Sequence, residues 1–199
     1  MIASGLAFPG KVFADAELGR LFVADSNHNR IVVTEWPDVS GRAKVVQIVG
    51  RGEIGATDGP ADQAAFNHPQ GLVTGQGNLY VCDTENHLIR KIDLESYEVS
   101  TVVGTGKMTY DFAGGRMGTQ QGINSPWDVV REGSTLYVAM AGQHQIWRID
   151  LPVDMPMSLD LAPDLRATDT ETSIQVLFAG DVPAERRVMR SLASAGKAG

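Results

Sequence analysis

The chain has 199 residues, 43% of them hydrophobic, a length that suits one sizeable domain or two small ones. Its net charge of −7 argues against nucleic-acid binding, and no run of about 18 apolar residues is present to insert into a membrane. Cys82 is the single cysteine, so no disulfide can form within the chain, and its apolar flanks predict a small buried hydrophobe.

Three copies of one pattern follow one another along the chain. Each copy opens with a short strand led by a proline, and these prolines, Pro9, Pro69 and Pro126, recur after 60 and then 57 residues. An apolar second strand comes next, at residues 20–25, 78–83 and 135–140. The third strand lies at 30–33, 89–92 and 146–149, and the fourth at 45–50, 99–104 and 174–180. All are short, rich in β-branched and aromatic residues, and bounded by Gly, Asp, Asn or Pro.

A four-stranded unit that repeats every 57–60 residues is typical of a β-propeller blade, and no copy shows the period of a helix. The sequence therefore predicts an all-β chain of about three four-stranded antiparallel blades, at residues 6–50, 66–104 and 123–180. Residues 152–173, rich in Asp, Pro, Thr and Ser, are predicted to form a loop inserted between the last two strands. Residues 181–199 are predicted to be a C-terminal tail, irregular or a short helix.

The turn after each second strand carries polar residues suited to structural roles. Asp25 and Asp83 begin the first two turns, where a carboxylate can accept hydrogen bonds from nearby backbone N–H groups. His87 and His144 take equivalent places in the second and third turns, and we interpret all four residues as structural turn caps. The third copy has Met140 in place of the acid, which disfavours a catalytic role. Histidines in equivalent turns of different blades cannot all approach within about 2 Å of one metal ion, so no metal site is predicted.

The residues just after the blade prolines differ between copies while the framework repeats, as expected for a binding face on a fixed scaffold. Because the innermost strands begin there, these residues belong at the mouth of a propeller channel. The candidate binding face comprises Lys11, Gln70, Trp127 and Asp128. Trp127 is the foremost candidate, because aromatic residues dominate interface energetics. The alternative, that Trp127 fills core space between blades, is equally compatible with the sequence.

The second turn reads Asn86-His87-Leu88, and with it the chain resembles the NHL-repeat β-propeller family, which is named for this triplet. The other two copies depart from the triplet, with His28-Asn29 in the first and Gln143-His144-Gln145 in the third. The resemblance extends over about residues 6–180 and is most specific at 58–72, 83–93 and 125–129. It points to the members in which a thioredoxin-like domain precedes a six-bladed propeller.

The resemblance implies a ring of six blades, of which this chain supplies three, so we predict an open half-ring. Half a ring leaves two blade faces bare. These faces are expected to pack against the remaining blades of a longer chain, or to self-associate so that two copies close one ring. With one cysteine, the chain has no Cys-x-x-Cys motif, and the redox activity of the family does not carry over to it.

The residues and the resemblance together favour a non-catalytic interaction module. It would be a fragment or partner of a thioredoxin/NHL-type protein that binds a protein or small ligand at the propeller face. No nucleophilic triad or cofactor motif is recognisable, and we expect no cofactor. The alternative is a propeller-based hydrolase or lyase with a site on the central axis, for which Asp128 is the one obvious candidate. The resemblance allows either a cytosolic or a chloroplast thylakoid lumen location.

Overall fold

A computed structural model of the chain describes residues 5–152 and 173–179. These residues form twelve β-strands in three sheets, which confirms the predicted all-β fold. The predicted insertion at 152–173 lies outside the described residues except at its two ends, and the predicted tail at 181–199 lies wholly outside them. Within the described part of the chain, no helix is long and apolar enough to cross a membrane.

Each sheet is one blade of four antiparallel strands paired in chain order. Blade 1 comprises β1 (Pro9–Asp15), β2 (Arg20–Asp25), β3 (Arg30–Glu35) and β4 (Val45–Val49). Blade 2 comprises β5 (Pro69–Gly75), β6 (Asn78–Asp83), β7 (Leu88–Asp93) and β8 (Val99–Val103). Blade 3 comprises β9 (Pro126–Glu132), β10 (Thr135–Met140), β11 (Gln145–Asp150) and β12 (Ser173–Ala179). Short 3-10 turns lie at Ser26–His28, Thr84–Asn86, Gly118–Gln120 and Ala141–Gln143.

The three blades stand side by side in an open arc, with blade 2 in the middle. The first strands contact one another in the order β1, β5, β9 and line the inside of the arc. Gly71 permits the approach of β5 to β9, because a Cβ atom there would lie 2.6 Å from the Cα of Asp128. A side chain at position 71 would therefore force the two innermost strands apart.

Two hydrophobic clusters fill the two junctions between blades. Because successive residues of a strand point to opposite faces, Leu79 packs with Phe22 toward blade 1, while Tyr80 packs with Trp147 toward blade 3. Cys82 is fully buried in the second cluster, as predicted, and burial raises the pKa of its thiol. The middle blade is thus covered on both faces.

The flanking blades are less enclosed than the middle blade. Every residue of β5 is buried, whereas no residue of β1 is. The side of blade 1 that faces away from blade 2, termed its outer face, carries Val12 and Ile48, which are 61% and 40% exposed. They lie at the ends of a cross-strand row whose middle residues, Val23 and Val32, are 6% and 3% exposed. The outer face of blade 3 carries Val130 and Ile146, which are 57% and 37% exposed. The exposed apolar residues of blade 1 thus lie at the margins of its outer face, and the middle of that face is buried.

Candidate binding face and its supporting turns

One end of the arc, termed the upper face, is where the first and third strands of each blade begin and the second and fourth end. It carries the 3-10 turns between the second and third strands. The loops at 50–68 and 104–125, which connect consecutive blades, also start and finish there. The predicted turn caps and the predicted binding residues all lie at this end.

Asp25 and Asp83 each hold the segment that leads into the first strand of their own blade. Asp25 Oδ1 accepts a hydrogen bond from the Ala7 N–H at 2.7 Å, and Asp83 Oδ1 accepts one from the Asn67 N–H at 2.8 Å. We predicted that these carboxylates cap their own turns. Neither accepts a capping hydrogen bond from the backbone of its turn, but each pairs with a side chain of that turn, Asp25 with His28 at 2.9 Å and Asp83 with Asn86 at 2.8 Å.

Arg90 is fully buried and ties blade 2 to the loop that precedes it. Its guanidinium donates to Asp83 at 2.8 Å and to Asp58 at 2.7 Å. It also donates to the carbonyl oxygens of Thr57 and Ala65, at 2.8 and 3.0 Å. Such complete pairing compensates the cost of burying a charge. Sequence reasoning missed Arg90; the available signal was an arginine in an apolar strand, seven residues after a turn aspartate.

The two turn aspartates differ in their ionisation. Burial raises the pKa of Asp83 to about 6, against the opposing effect of Arg90. Burial also disfavours ionisation of Asp25, but hydrogen bonds from Ala7, His28 and Arg30 outweigh it and lower the pKa of that carboxyl. The carboxyl in the enclosed middle blade is therefore the one more easily protonated.

The residue that follows the turn links blade 1 to blade 2, and blade 2 to blade 3, through a hydrogen bond termed the inter-blade latch. Asn29 and His87 follow their turns in left-handed conformation, with φ of 50° and 55°. Asn29 Oδ1 accepts from the His68 N–H at 3.0 Å, and His87 Nδ1 accepts from the Ser125 N–H at 3.0 Å. Both donors directly precede a blade proline. His144 has the same conformation, with φ of 53°, on blade 3.

Lys11 and Asp128, two of the predicted binding residues, lie together. Each is the second residue after its blade proline, and the position between them on blade 2 is Gly71. Because Gly71 has no side chain, Lys11 reaches across β5 and forms an ion pair with Asp128. The Lys11 ammonium also donates to the Val129 carbonyl oxygen at 3.3 Å.

The other two predicted binding residues are placed differently from each other. Gln70 is only 9% exposed, and its side chain covers Gly10 of blade 1, so it offers little surface to a ligand. Trp127 is 51% exposed at the start of β9. The four residues therefore form a central ion pair with an exposed tryptophan beside it, rather than one continuous patch.

A groove of about 430 Å³ runs along the inside of the arc between the first strands and is termed the axial groove. Lys11, Val129 and Arg131 are among its lining residues. Asp15 accepts a hydrogen bond from the Thr74 hydroxyl at 2.6 Å, and Arg131 donates to the Thr74 carbonyl oxygen at 2.8 Å. Burial works against ionisation of Asp15, but the Thr74 hydrogen bond and its other partners lower its pKa. In the described residues, no group of three or more His, Cys, Asp or Glu is arranged to hold a metal ion.

The upper face also exposes apolar side chains that sequence reasoning missed. They range from 37% to 69% exposed and comprise Phe8, Ile54, Met108, Tyr110 and Phe112. The rings of Tyr110 and Phe112 lie 6.3 Å apart. The available signal was the alternation of three large apolar residues within a Gly-rich connection that has no strand pattern. With Trp127, these residues make the upper face a candidate protein-binding surface.

The chain is similar in sequence to NHL-repeat proteins. The NHL repeat model matches residues 66–92. NHL repeat-containing protein 2 of Homo sapiens is 46% identical over 154 residues, which cover 73% of this chain and 20% of that protein. Protein SUPPRESSOR OF QUENCHING 1, chloroplastic, of Arabidopsis thaliana is 50% identical over 151 residues, which cover 74% of this chain and 14% of that protein. The chain thus spans about a fifth or less of the length of these relatives.

Solved structures share the fold at lower identity. An auxiliary nutrient binding protein of Bacteroides thetaiotaomicron superposes with a TM-score of 0.56 and 20% identity, over 69% of this chain and 36% of that one. A structural genomics protein of unknown function from the same species gives 0.55 and 20%, over 82% of this chain and 34% of that one. At this identity the likeness concerns the fold alone. From the matched repeat, the similar relatives and the three four-stranded blades, the chain belongs to the NHL-repeat family of β-propeller proteins.

Proposed function

We propose that this chain is a non-catalytic interaction module that binds a protein partner on its upper face, with Trp127 as the anchor. The observation that carries this proposal is the 51% exposure of Trp127 at the start of β9, on the upper face. Phe8 and Tyr110, 69% and 67% exposed, extend the apolar surface of the same face. Large aromatic side chains supply much of the binding energy at protein interfaces.

The packing between blades 2 and 3 favours the anchor role of Trp127 over the core role. The hydrophobic cluster at that junction is filled by other residues, including Tyr80, Val138 and Trp147. Trp127 is not among its members. Removal of the Trp127 ring should therefore weaken binding without opening a cavity in the junction.

A thioredoxin-like domain is the first partner to test, because the resemblance is to proteins that carry such a domain beside the propeller. Isothermal titration of the chain with a purified thioredoxin-like domain from a relative gives the affinity. We expect Trp127→Ala to weaken binding at least about tenfold, the effect typical of an interface anchor. The matched control is Trp36→Ala, since Trp36 is 49% exposed at the opposite end of blade 1.

Two outcomes would contradict the proposal. One is an absence of measurable binding by the wild-type chain. The other is an equal effect of Trp127→Ala and Trp36→Ala on the affinity. That result would mean that the partner does not bind through the upper face. Far-UV circular dichroism of both variants checks that the strands remain folded.

A hydrolase or lyase site on the axis is the second candidate, and the axial groove is the observation that favours it. Glu17 and Asp15 line this groove, and Asp15 already accepts a hydrogen bond from Thr74. Asp128, next to the lining residue Val129, is paired with Lys11. Catalysis by Asp128 would require release from that ion pair. Turnover of a model ester that Asp128→Asn abolishes would support an enzyme, whereas wild-type turnover equal to the buffer rate would leave the binding role favoured.

A further inference from the structure

The loop at 104–125, which connects blade 2 to blade 3, contains an open pocket of about 350 Å³, termed the loop pocket. All of its lining residues belong to this loop, and they include the polar or charged residues Thr105, Lys107, Arg116 and Gln120. The loop pocket shares no lining residue with the axial groove. It is therefore a second concave site, separate from the inside of the arc.

Hydrogen bonds of a fully buried amide hold the loop pocket in shape. Gln121 Oε1 accepts a hydrogen bond from the Arg116 N–H at 3.0 Å. The Gln121 amide nitrogen donates to the Asp111 carboxylate at 3.3 Å and to the Gly122 carbonyl oxygen at 2.8 Å. Because Gly122 has no Cβ atom, Thr109 can pack against its backbone; a Cβ there would lie 2.7 Å from Thr109 Cγ2. The backbone that carries Arg116 is thus fixed in the absence of a ligand, which favours binding.

Two cationic side chains of the loop pocket lack a hydrogen-bonded carboxylate among the described residues. Lys107 is exposed and makes no ion pair within the described part of the chain. Arg116 is 69% exposed, and its Nε lies 3.9 Å from the Asp111 carboxylate, beyond hydrogen-bond distance. That carboxylate already accepts hydrogen bonds from Gln121 and from the Ala113 N–H. Two cations face one engaged carboxylate, so the loop pocket is locally positive.

The other Lys and Arg side chains that the structure describes at the upper face are paired with carboxylates. These pairs are Lys11–Asp128, Arg30–Asp25, Arg51–Glu53 and Arg90–Asp83. Arg51 and Glu53 lie on a Gly-x-Gly turn at 50–53, and the turn at 104–107 repeats it with Thr105 and Lys107 in their places. A lysine thus replaces the carboxylate that would complete the pair. The positive charge of the loop pocket is left for a ligand.

Exposed apolar side chains on the same loop suit a peptide ligand. Met108 and Tyr110 are 58% and 67% exposed. Gly122 lines the loop pocket and precedes Trp127 by five residues, a stretch of at most about 18 Å when fully extended. An extended peptide advances about 3.3 Å per residue, so a segment of about six residues reaches from the loop pocket to Trp127.

We propose that the loop pocket binds a carboxylate on an acidic peptide segment of the protein partner, while an apolar side chain of that segment contacts Trp127. This inference rests on the proposed function and adds the chemistry of the partner. The Lys107 ammonium and the Arg116 guanidinium donate charge-assisted hydrogen bonds to the carboxylate oxygens. A carboxylate suits the loop pocket better than a chain of phosphates, because the net charge of −7 repels a polyanion.

Two blocked, fluorescently labelled peptides of about eight residues test the proposal on the purified full chain. One carries two glutamates near one end and a leucine near the other, and its partner carries glutamines in place of the glutamates. We expect the glutamate peptide to bind at least about fivefold more tightly by fluorescence anisotropy, and the difference to shrink as the NaCl concentration rises. Equal affinities, or no detectable binding of the glutamate peptide, would overturn the proposal.

A double variant, Lys107→Gln with Arg116→Gln, locates the preference for glutamate. It should bind the two peptides equally. The matched control is Arg42→Gln with Lys44→Gln, which removes two exposed cations from the connection between β3 and β4 and should keep the full preference. A preference for glutamate that persists in the variant of Lys107 and Arg116 would overturn the loop pocket as the site.

Trp127→Ala distinguishes a failure of this inference from a failure of the proposed function. Loss of the Trp127 ring should weaken the binding of both peptides alike and leave the preference for glutamate intact. If Trp127→Ala changes neither affinity, the anchor role is wrong, and so is the Trp127 contact proposed above. If Trp127→Ala weakens binding but glutamate is not preferred, only the carboxylate site is overturned.

Amide NMR shifts of the wild-type chain test the site without any substitution. We expect the glutamate peptide to shift the amide signals of Thr105, Lys107 and Arg116, and the glutamine peptide to leave them unchanged. Inorganic phosphate is the second probe. Saturation of the same shifts by phosphate at a lower concentration than by the glutamate peptide would overturn the assignment to a carboxylate.

Discussion

Blades 2 and 3 fill the same buried positions with opposite chemistry. In blade 2, Asp83 and Arg90 form a fully buried ion pair. In blade 3 the same strand positions hold Met140 and Trp147, which are 1% and 0% exposed. A buried ion pair is stable only when all of its hydrogen bonds are made. The pair in blade 3 needs one, which the Trp147 indole N–H donates to Gln145 at 2.8 Å. The comparison teaches that the repeat fixes where a side chain is buried and leaves its chemistry open.

Because the buried pair in blade 2 is charged, the loop that precedes this blade is held differently from the loop that precedes blade 3. Arg90 holds the loop before blade 2 with charge-assisted hydrogen bonds to backbone carbonyls. The loop before blade 3 is held by neutral amides instead. Gln143 donates to the Asp111 carbonyl oxygen at 2.6 Å, and Gln145 donates to the Phe112 carbonyl oxygen at 3.3 Å. The more weakly held loop is the one that carries the exposed aromatic residues of the upper face.

The largest expected effect comes from removal of the buried cation in blade 2. Arg90→Met leaves Asp83 buried without its charge partner, so we expect the free energy of unfolding to fall by about 3–5 kcal/mol. The control in blade 3 is Arg148→Met, because Arg148 pairs with Asp150 while 38% exposed, and we expect a loss below about 1 kcal/mol. Urea unfolding followed by tryptophan fluorescence measures both. Similar losses in the two variants would contradict the account of blade 2.

A double substitution gives blade 2 the residue types that blade 3 has at the same positions, Met140 and Trp147. Asp83→Met with Arg90→Trp should be more stable than Arg90→Trp alone, with a coupling of about 1–3 kcal/mol, because no unpaired carboxylate remains. We expect stability below the wild type, since the Asn67 N–H loses its acceptor. A double variant whose loss equals the sum of the two single losses would show that the pairs are not interchangeable.

A smaller effect is expected at the inter-blade latch. His87→Ala removes the acceptor of the Ser125 N–H and should cost about 1 kcal/mol. His144→Ala is the matched control on blade 3. His144 has the same backbone conformation but makes no such hydrogen bond to another described residue, and urea unfolding measures both variants. Equal losses from the two variants would argue against the latch.

A pH dependence is expected to separate the two turn aspartates. NMR titration of the carboxyl carbons should place the pKa of Asp83 near 6 and that of Asp25 below 3.8. Asp83→Asn assigns the signal. A folded-state pKa above the unfolded value means that Asp83 favours folding at low pH and that this contribution is lost as pH rises through 6. Asp25 has the opposite sign: its contribution is present above pH 3.8 and is lost as the pH falls below it.

Much of the fold followed from the sequence, because each blade repeats local patterns. Prolines, alternating apolar residues and polar turns placed strands in all three copies, and the structure has twelve strands in those regions. Burial of Cys82 followed from its apolar flanks. The hydrogen bonds of Asp25 did not follow, because its partner Ala7 is eighteen residues away in sequence.

The site was less predictable, because it depends on contacts between blades. The ion pair of Lys11 with Asp128 spans 117 residues and depends on the absence of a side chain at Gly71. The sequence predicts that Gln70 is exposed. In the structure Gly10 of blade 1 leaves room for the Gln70 side chain, which packs against it and is buried. The exposed loop residues near Tyr110 have no repeat partner in the first copy, so comparison of the copies could not reveal them.

Hydrogen–deuterium exchange of the chain with and without the thioredoxin-like domain tests upper-face binding most directly. We predict slower exchange on binding in the loop at 104–125 and at the start of β9. The lower connections at 16–19 and 36–44 should be unchanged. Protection confined to those lower connections, or no protection at a saturating concentration of the domain, would contradict a partner-binding role for the upper face.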